Sequence, residues 1–190
     1  LYFRRDLCTL LDIREKSTQR VLIGSLPIIA VGLLLRDWVE GAFSSALLVS
    51  ALLIVNGTVV FANRYIAEGN GGVGRLTALY VGLAQVAALL PGISRSGITI
   101  TSARALGVKR VDAARFSFFI SFLPIIGAST YKLSTAWNEF DPYYLVGFVI
   151  AFGVGYASIG FMMELINRRY FHHLGLYTAL LGICGLLLFA

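Results

Sequence analysis

Charge is scarce in this sequence: 14% of its 190 residues are Asp, Glu, Lys or Arg, where a soluble domain of this length carries about 25%. The charges are also bunched between long uncharged stretches, several of them near the ~20 residues a helix needs to cross a bilayer. With 57% apolar residues and a mean hydropathy of +0.79, a soluble fold is excluded. A secreted soluble protein would carry one such stretch at most. Cysteine is nearly absent. Cys8 and Cys184 lie at opposite ends of the chain, with neither a metal spacing nor a disulfide framework, and both read as small apolar residues. Acidic pairs are missing from every apolar run, and no basic face accompanies the net charge of +6, which excludes nucleic acid as a partner. The first residues show neither an initiating Met nor the pattern of a signal peptide. Leu1-Tyr2-Phe3-Arg4-Arg5 looks like the last turn of a membrane helix meeting basic residues, so the chain is expected to continue upstream.

What is present is a series of apolar runs: 21–35, with Pro27 inside it, 43–62, 113–134, with Pro124, 143–164 and 174–190. Thirteen of the sixteen Lys and Arg residues fall in four stretches between them, 1–20, 63–75, 104–115 and 167–169. This is the positive-inside pattern and puts those four stretches on the cytoplasmic side. The outer turns then carry Arg36 and Lys132 against Asp37, Glu40, Glu139 and Asp141, with Trp38 and Trp137 as interface residues. Between two inside loops the segment 76–107 cannot cross once. Its first apolar part, Leu76 to Leu90, rises only about 22 Å as a helix against a core of about 30 Å. It is therefore read as a re-entrant helix–break–helix hairpin with Pro91 to Arg95 at its tip. Irregular backbone at that depth survives only buried in protein or beside a wet cavity, which places a site at Pro91–Thr99. The fold class is an all-α polytopic membrane protein, a single membrane domain over 1–190, with about five transmembrane helices plus the hairpin.

The tip reads Pro91-Gly92-Ile93-Ser94-Arg95-Ser96-Gly97-Ile98-Thr99. Gly92 and Gly97 allow close backbone approach to a ligand or a positive φ. Ser94 suits the N-cap of a second short helix, whose first amides form an anion site, and Arg95 adds a planar charged fork suited to phosphate oxygens. Ser96 and Thr99, three residues apart, put two hydroxyls on one face. The combination suits a phosphate or diphosphate. An arginine at membrane depth is functional by default. Thr101 and Ser102 read as structural, bonded to their own backbone. Gln85 either bonds across to the hairpin or glues helices together, and Asn56 reads as helix glue. His172 and His173 read as interface anchors, and Glu164 as the end of its helix.

The segment Gln85 to Ile100 closely resembles the Pro-Gly-x-Ser-Arg-Ser-x-x-Thr signature of the bacterial undecaprenyl-diphosphatase (bacitracin-resistance) family. Phe116-Ser117-Phe118, Pro124 and the terminal spans extend the likeness over the whole chain, but over only the later two-thirds or so of the family pattern. The resemblance implies hydrolysis of undecaprenyl diphosphate to the monophosphate, which recycles the carrier lipid for peptidoglycan synthesis and gives bacitracin resistance. It implies an inverted-repeat fold in the bacterial inner membrane, a site opening to the outer face, and a divalent cation, Mg²⁺ or Ca²⁺. Carried over, Arg95, Ser94, Ser96 and Thr99 are the catalytic positions, with the nucleophile left open among the hydroxyls, and Pro91, Gly92, Gly97 and Gln85 contact substrate. The implied partners are a prenyl diphosphate lipid and the membrane, with self-association left open. The family's first motif, rich in Glu and followed by a Ser/His stretch, has no counterpart here. No metal ligand is therefore assigned in this chain, and the chain alone is expected not to turn over. The alternative is a transporter or flippase of a phosphorylated lipid or anion, since broken helices aimed at an anion are a transporter feature too.

Overall fold

The computed structural model describes residues 14–135, 141 and 143–189; Cys8, Trp137, Glu139 and Ala190 lie outside the described residues. It consists of eight α-helices: α1 (Lys16–Leu34), α2 (Arg36–Ala42), α3 (Ala46–Ala62), α4 (Arg75–Gln85), α5 (Arg95–Ala105), α6 (Arg110–Thr135), α7 (Tyr143–Asn167) and α8 (Phe171–Phe189). Four of them, α1, α6, α7 and α8, are long and apolar enough to cross a membrane. A fifth span comes from α2 and α3 if that pair, bent by 94°, counts as one. The chain is an all-α, multi-pass membrane protein. Its apolar residues face outward in large numbers, and the membrane-length window of α7 has no buried residue at all, as a solvent of lipid rather than water permits.

Of the two prolines inside the spans, Pro27 and Pro124, the second shows how the bundle satisfies its backbone. Pro124 has no N–H, so the Ile120 carbonyl four residues earlier loses its helical donor. The hydroxyl of Ser25 in α1 lies 3.0 Å from that carbonyl oxygen, and 2.8 Å from the Val21 carbonyl of its own helix. Ser25 and Ile120 are both fully enclosed. A break that would be costly in hydrocarbon is thus covered by a neighbouring helix, and the same contact fixes α1 against α6.

The most intimate helix pair is α3 with α8. A Cβ built on Gly57 would lie 2.6 Å from the Gly175 carbonyl oxygen, and one on Gly182 2.6 Å from that of Ser50. Only hydrogen fits there, so the two backbones touch, the packing that small residues make available where no hydrophobic effect drives helices together.

Charge divides the molecule into two ends. At one end Arg36 pairs with Glu40, donates to the Tyr131 hydroxyl (2.6 Å) and lies over its ring (4.9 Å), joining α2 to the last turns of α6. At the other end Arg75 donates to Gln19 (2.9 Å), bringing the start of α4 to the start of α1. Glu68 there accepts from the Arg110 amide (2.9 Å) and pairs with the Arg110 guanidinium; the amide bond, ahead of the opposing effect of burial, holds its carboxyl below the usual range.

The segment between α3 and α6 starts and finishes at this second, basic end. Gly71 and Val108 form a parallel bridge, with the Gly71 amide on the Gly107 carbonyl and the Lys109 amide on that of Gly71, both at 3.0 Å. From there α4 runs inward and tightens into a 3₁₀ turn at Val86–Leu89, and α5 returns after a break. Gly107 closes α5 at φ +82, with the Val108 amide on Ala103 and its own on Arg104, the left-handed cap that stops a helix.

Candidate functional site

The break between α4 and α5 follows from three residues. Leu90 is extended, at φ −76 and ψ 137, as a residue before proline is pushed to be. Pro91 fixes the next φ. Gly92 then takes φ +97, and the Ile93 amide reaches the Leu90 carbonyl at 3.3 Å, which closes a turn whose third position demands a positive φ. Gly92 is pressed onto α3 as well: a Cβ there would lie 2.8 Å from the Val49 carbonyl oxygen. Val49 is in the first turn of α3, so the tip lies toward the Arg36–Tyr131 end, away from the basic one.

Ser94 then starts α5. Its hydroxyl accepts the Gly97 amide at 3.1 Å and its carbonyl accepts the Ile98 amide at 2.9 Å. The amides of Arg95 and Ser96 precede the first helical bond, so they remain an anion-directed pair. The Ser94 and Ser96 hydroxyls are 3.4 Å apart. Arg95 is half-buried between them. Among the described residues its guanidinium has no ion pair and no hydrogen bond, whereas Arg36, Arg110 and Arg168 all have acidic partners. A permanently charged fork, two hydroxyls and two helix-terminal amides are thus supplied by three consecutive residues, Ser94 to Ser96, and the cluster has the recognition chemistry of a phosphate group.

The remaining expected residues are placed differently. Thr99 is fully buried and turned toward α6: its hydroxyl lies 2.8 Å from the Arg95 carbonyl and 2.7 Å from the Ser117 hydroxyl. It does not share an open face with Ser96. Gly97 is buried against α3, where a Cβ would meet the Val60 side chain at 2.7 Å, so its missing side chain serves helix packing. Pro91 is buried beneath the turn. Gln85 is completely enclosed, and neither its amide nitrogen nor its oxygen has a partner among the described residues. A buried, unpaired amide is costly, which singles Gln85 out as a group awaiting a ligand or another chain segment. Thr101 bonds across to Asn63 (2.9 Å) rather than to its own backbone.

Asn56 has more to do than glue helices. Its oxygen accepts the Ser94 amide at 2.9 Å, and its nitrogen lies 3.4 Å from Thr178 on α8. It therefore pins the break to the α3–α8 pair. Of the outer members of these two chains of bonds, Ser117 falls in the Phe116-Ser117-Phe118 stretch that shares the family likeness, and Thr178 carries no sequence signal beyond being polar within an apolar run.

Metal chemistry does not fit the cluster. Among the described residues no three His, Cys, Asp or Glu converge, and hydroxyls, amides and a guanidinium lack the carboxylates a divalent cation takes as ligands.

A model of the family described as Bacitracin resistance protein BacA matches residues 1–184. Among curated relatives, an undecaprenyl-diphosphatase of Desulforapulum autotrophicum is 32% identical over 173 residues, covering 88% of this chain and 63% of its own. One of Elusimicrobium minutum is 31% identical, covering 96% and 75%, and one of Lactococcus lactis is 36% identical, covering 86% and 63%. The chain thus spans about two thirds of the length of the curated relatives it matches. With the signature segment folded into the break described above and the match running nearly end to end, the chain belongs to the bacitracin resistance protein BacA family.

Proposed function

We propose that this protein hydrolyses undecaprenyl diphosphate to undecaprenyl phosphate and phosphate, and that the Ser94–Arg95–Ser96 cluster binds the diphosphate. The observation that carries the reading is the unpaired, half-buried guanidinium of Arg95 at the start of α5. The substrate follows from the relatives, which are undecaprenyl-diphosphatases. In this reading the protein lies in the bacterial inner membrane, and the cluster is reached from the outer face. It regenerates the lipid carrier for peptidoglycan synthesis and confers bacitracin resistance.

Hydrolysis adds a water oxygen to the terminal phosphorus and breaks its bond to the bridging oxygen, which leaves on the prenyl phosphate. Negative charge grows on the single oxygen that bridges the two phosphorus atoms as its bond to the terminal phosphorus breaks. Arg95 holds two non-bridging phosphoryl oxygens with its fork and offsets the growing charge. The amides of Arg95 and Ser96 add fixed dipoles that need no reorganisation, and the hydroxyls of Ser94 and Ser96 orient the terminal group. Asn56, by holding the Ser94 amide, keeps the break in register with α3. The prenyl chain stays in lipid against the exposed apolar faces.

Phosphate release from a long-chain prenyl diphosphate tests this. Arg95→Ala should lose about 3–4 kcal/mol of transition-state stabilisation, roughly 10²–10³ in rate. Arg95→Lys should recover little, because a point charge cannot replace the fork, and Ser102→Ala should be nearly silent. Unchanged turnover in Arg95→Ala would overturn the assignment.

A further inference from the structure

A second polar centre lies at the other end of α5. Arg104 lies nine residues along the helix from Arg95, about 14 Å along the axis, and opens onto a cavity of about 390 Å³ at the basic end of the molecule. That volume falls within the range of small-ligand sites, roughly 300–1,000 Å³. Its lining includes Arg64, Arg104, Arg110, Arg169 and His172, with Glu68 as the sole acidic side chain. Four arginines therefore line the cavity against one acidic residue, and that carboxylate is already engaged by Arg110.

Each arginine has a different reason to be there. Arg104 is 5% exposed, a rare position for this side chain unless it is paired. It caps the end of α3 through the Asn63 and Ile66 carbonyls, at 2.9 and 2.7 Å, and among the described residues has no carboxylate partner. The buried Nε atoms of Arg104 and Arg110 are both without an acceptor. Arg64 and Arg169 make no side-chain hydrogen bond or ion pair among the described residues. Arg169 also sits where glycine is the usual choice. It is the left-handed residue that ends α7, at φ 64, with the Tyr170 amide on Leu165 and its own on Ile166; a non-glycine residue there is strained. A surface charge kept only for topology needs neither a cavity nor that backbone.

We propose that this cavity is a binding site for a phosphate-bearing anion, distinct from the Arg95 cluster and on the opposite side of the hairpin. Arginines lining one cavity, two of them with unsatisfied donors, match phosphate oxygens, and the net positive field draws an anion to the cavity mouth. The phosphate comes either from the headgroup of an anionic lipid in the adjacent leaflet or from free phosphate.

The test uses the protein as the cell makes it, carrying Arg95→Ala so that the first cluster is silent. Inorganic phosphate is titrated by calorimetry, and retention of phosphatidylglycerol against phosphatidylcholine is read by native mass spectrometry. Arg64→Gln with Arg169→Gly should weaken binding at least roughly tenfold, the loss expected for a charge-assisted hydrogen bond. Arg169→Gly removes the strained cap, so its thermal midpoint should not fall, and lost binding cannot be put down to unfolding. Weakening in the phosphate titration identifies free anion as the ligand, and weakening confined to phosphatidylglycerol identifies the headgroup. Binding of both probes unchanged in the double variant would overturn the proposal.

Discussion

Ser96 and Thr99 are three residues apart, and the helix turns the second about 60° away from the first. That rotation separates two roles. Ser96 stays half-buried beside Arg95, while Thr99 is enclosed with its hydroxyl on Arg95 O and Ser117 Oγ. Ser96→Ala should lower the rate of phosphate release by roughly tenfold, one lost hydrogen bond, with the thermal midpoint unchanged. Thr99→Val should instead leave Ser117 unpaired and cost about 1–3 kcal/mol of stability, and Thr99→Ser should restore both stability and turnover. A rate defect in Thr99→Val without a fall in thermal midpoint would put Thr99 in contact with substrate. At this scale the signature was legible as chemistry: the Ser94 cap, the arginine fork and the Pro91-Gly92 turn follow from residue type and order alone. The direction of Thr99 was not, because a spacing of three fits one shared face or two adjacent ones, and the packing of α6 decides between them. Nor was Arg104, which reads in sequence as one more basic loop residue and is buried only because α3 ends with free carbonyls beside it.

Among the elements, α1 and α6 carry the prolines, and their contact shows how a membrane bundle tolerates them. Ser25→Ala should leave the Ile120 carbonyl unpaired, destabilising the bundle by about 1–3 kcal/mol. Adding Pro124→Ala restores a helical N–H to that carbonyl, so the second change should recover much of the loss of the first. A double-mutant cycle on thermal unfolding in detergent reads the coupling, and purely additive effects would mean Ser25 only bonds its own helix. The helices themselves were legible from hydropathy and charge. Predicted spans at 21–35, 43–62, 113–134 and 143–164 fall within or closely along α1, α3, α6 and α7. The sharp bend between α2 and α3 was not legible, since Arg36 to Ala42 reads in sequence as a polar turn and folds as a separate short helix.

For the whole molecule, the distribution of charge sets which way the hairpin points. Lys16, Arg64, Arg75, Lys109, Arg110 and Arg169 gather with the paired ends of the hairpin, Gly71 and Val108, while Arg36, Asp37 and Glu40 mark the other end. In the proposed orientation, with the basic end cytoplasmic by positive-inside reasoning, the Ser94–Arg95–Ser96 tip would face outward. Thiol labelling of intact cells measures this directly, in a background with Cys8→Ala and Cys184→Ala. Gly72→Cys is well suited, since a side chain there meets nothing within 4 Å, and exposed Lys109→Cys reports the other limb. An impermeant reagent added outside should leave both unlabelled yet modify Ser96→Cys, and inorganic pyrophosphate should slow the modification of Ser96→Cys. Labelling of Gly72→Cys and Lys109→Cys from opposite sides, or of Ser96→Cys from the inside alone, would contradict a hairpin that carries its phosphate site to the outer face.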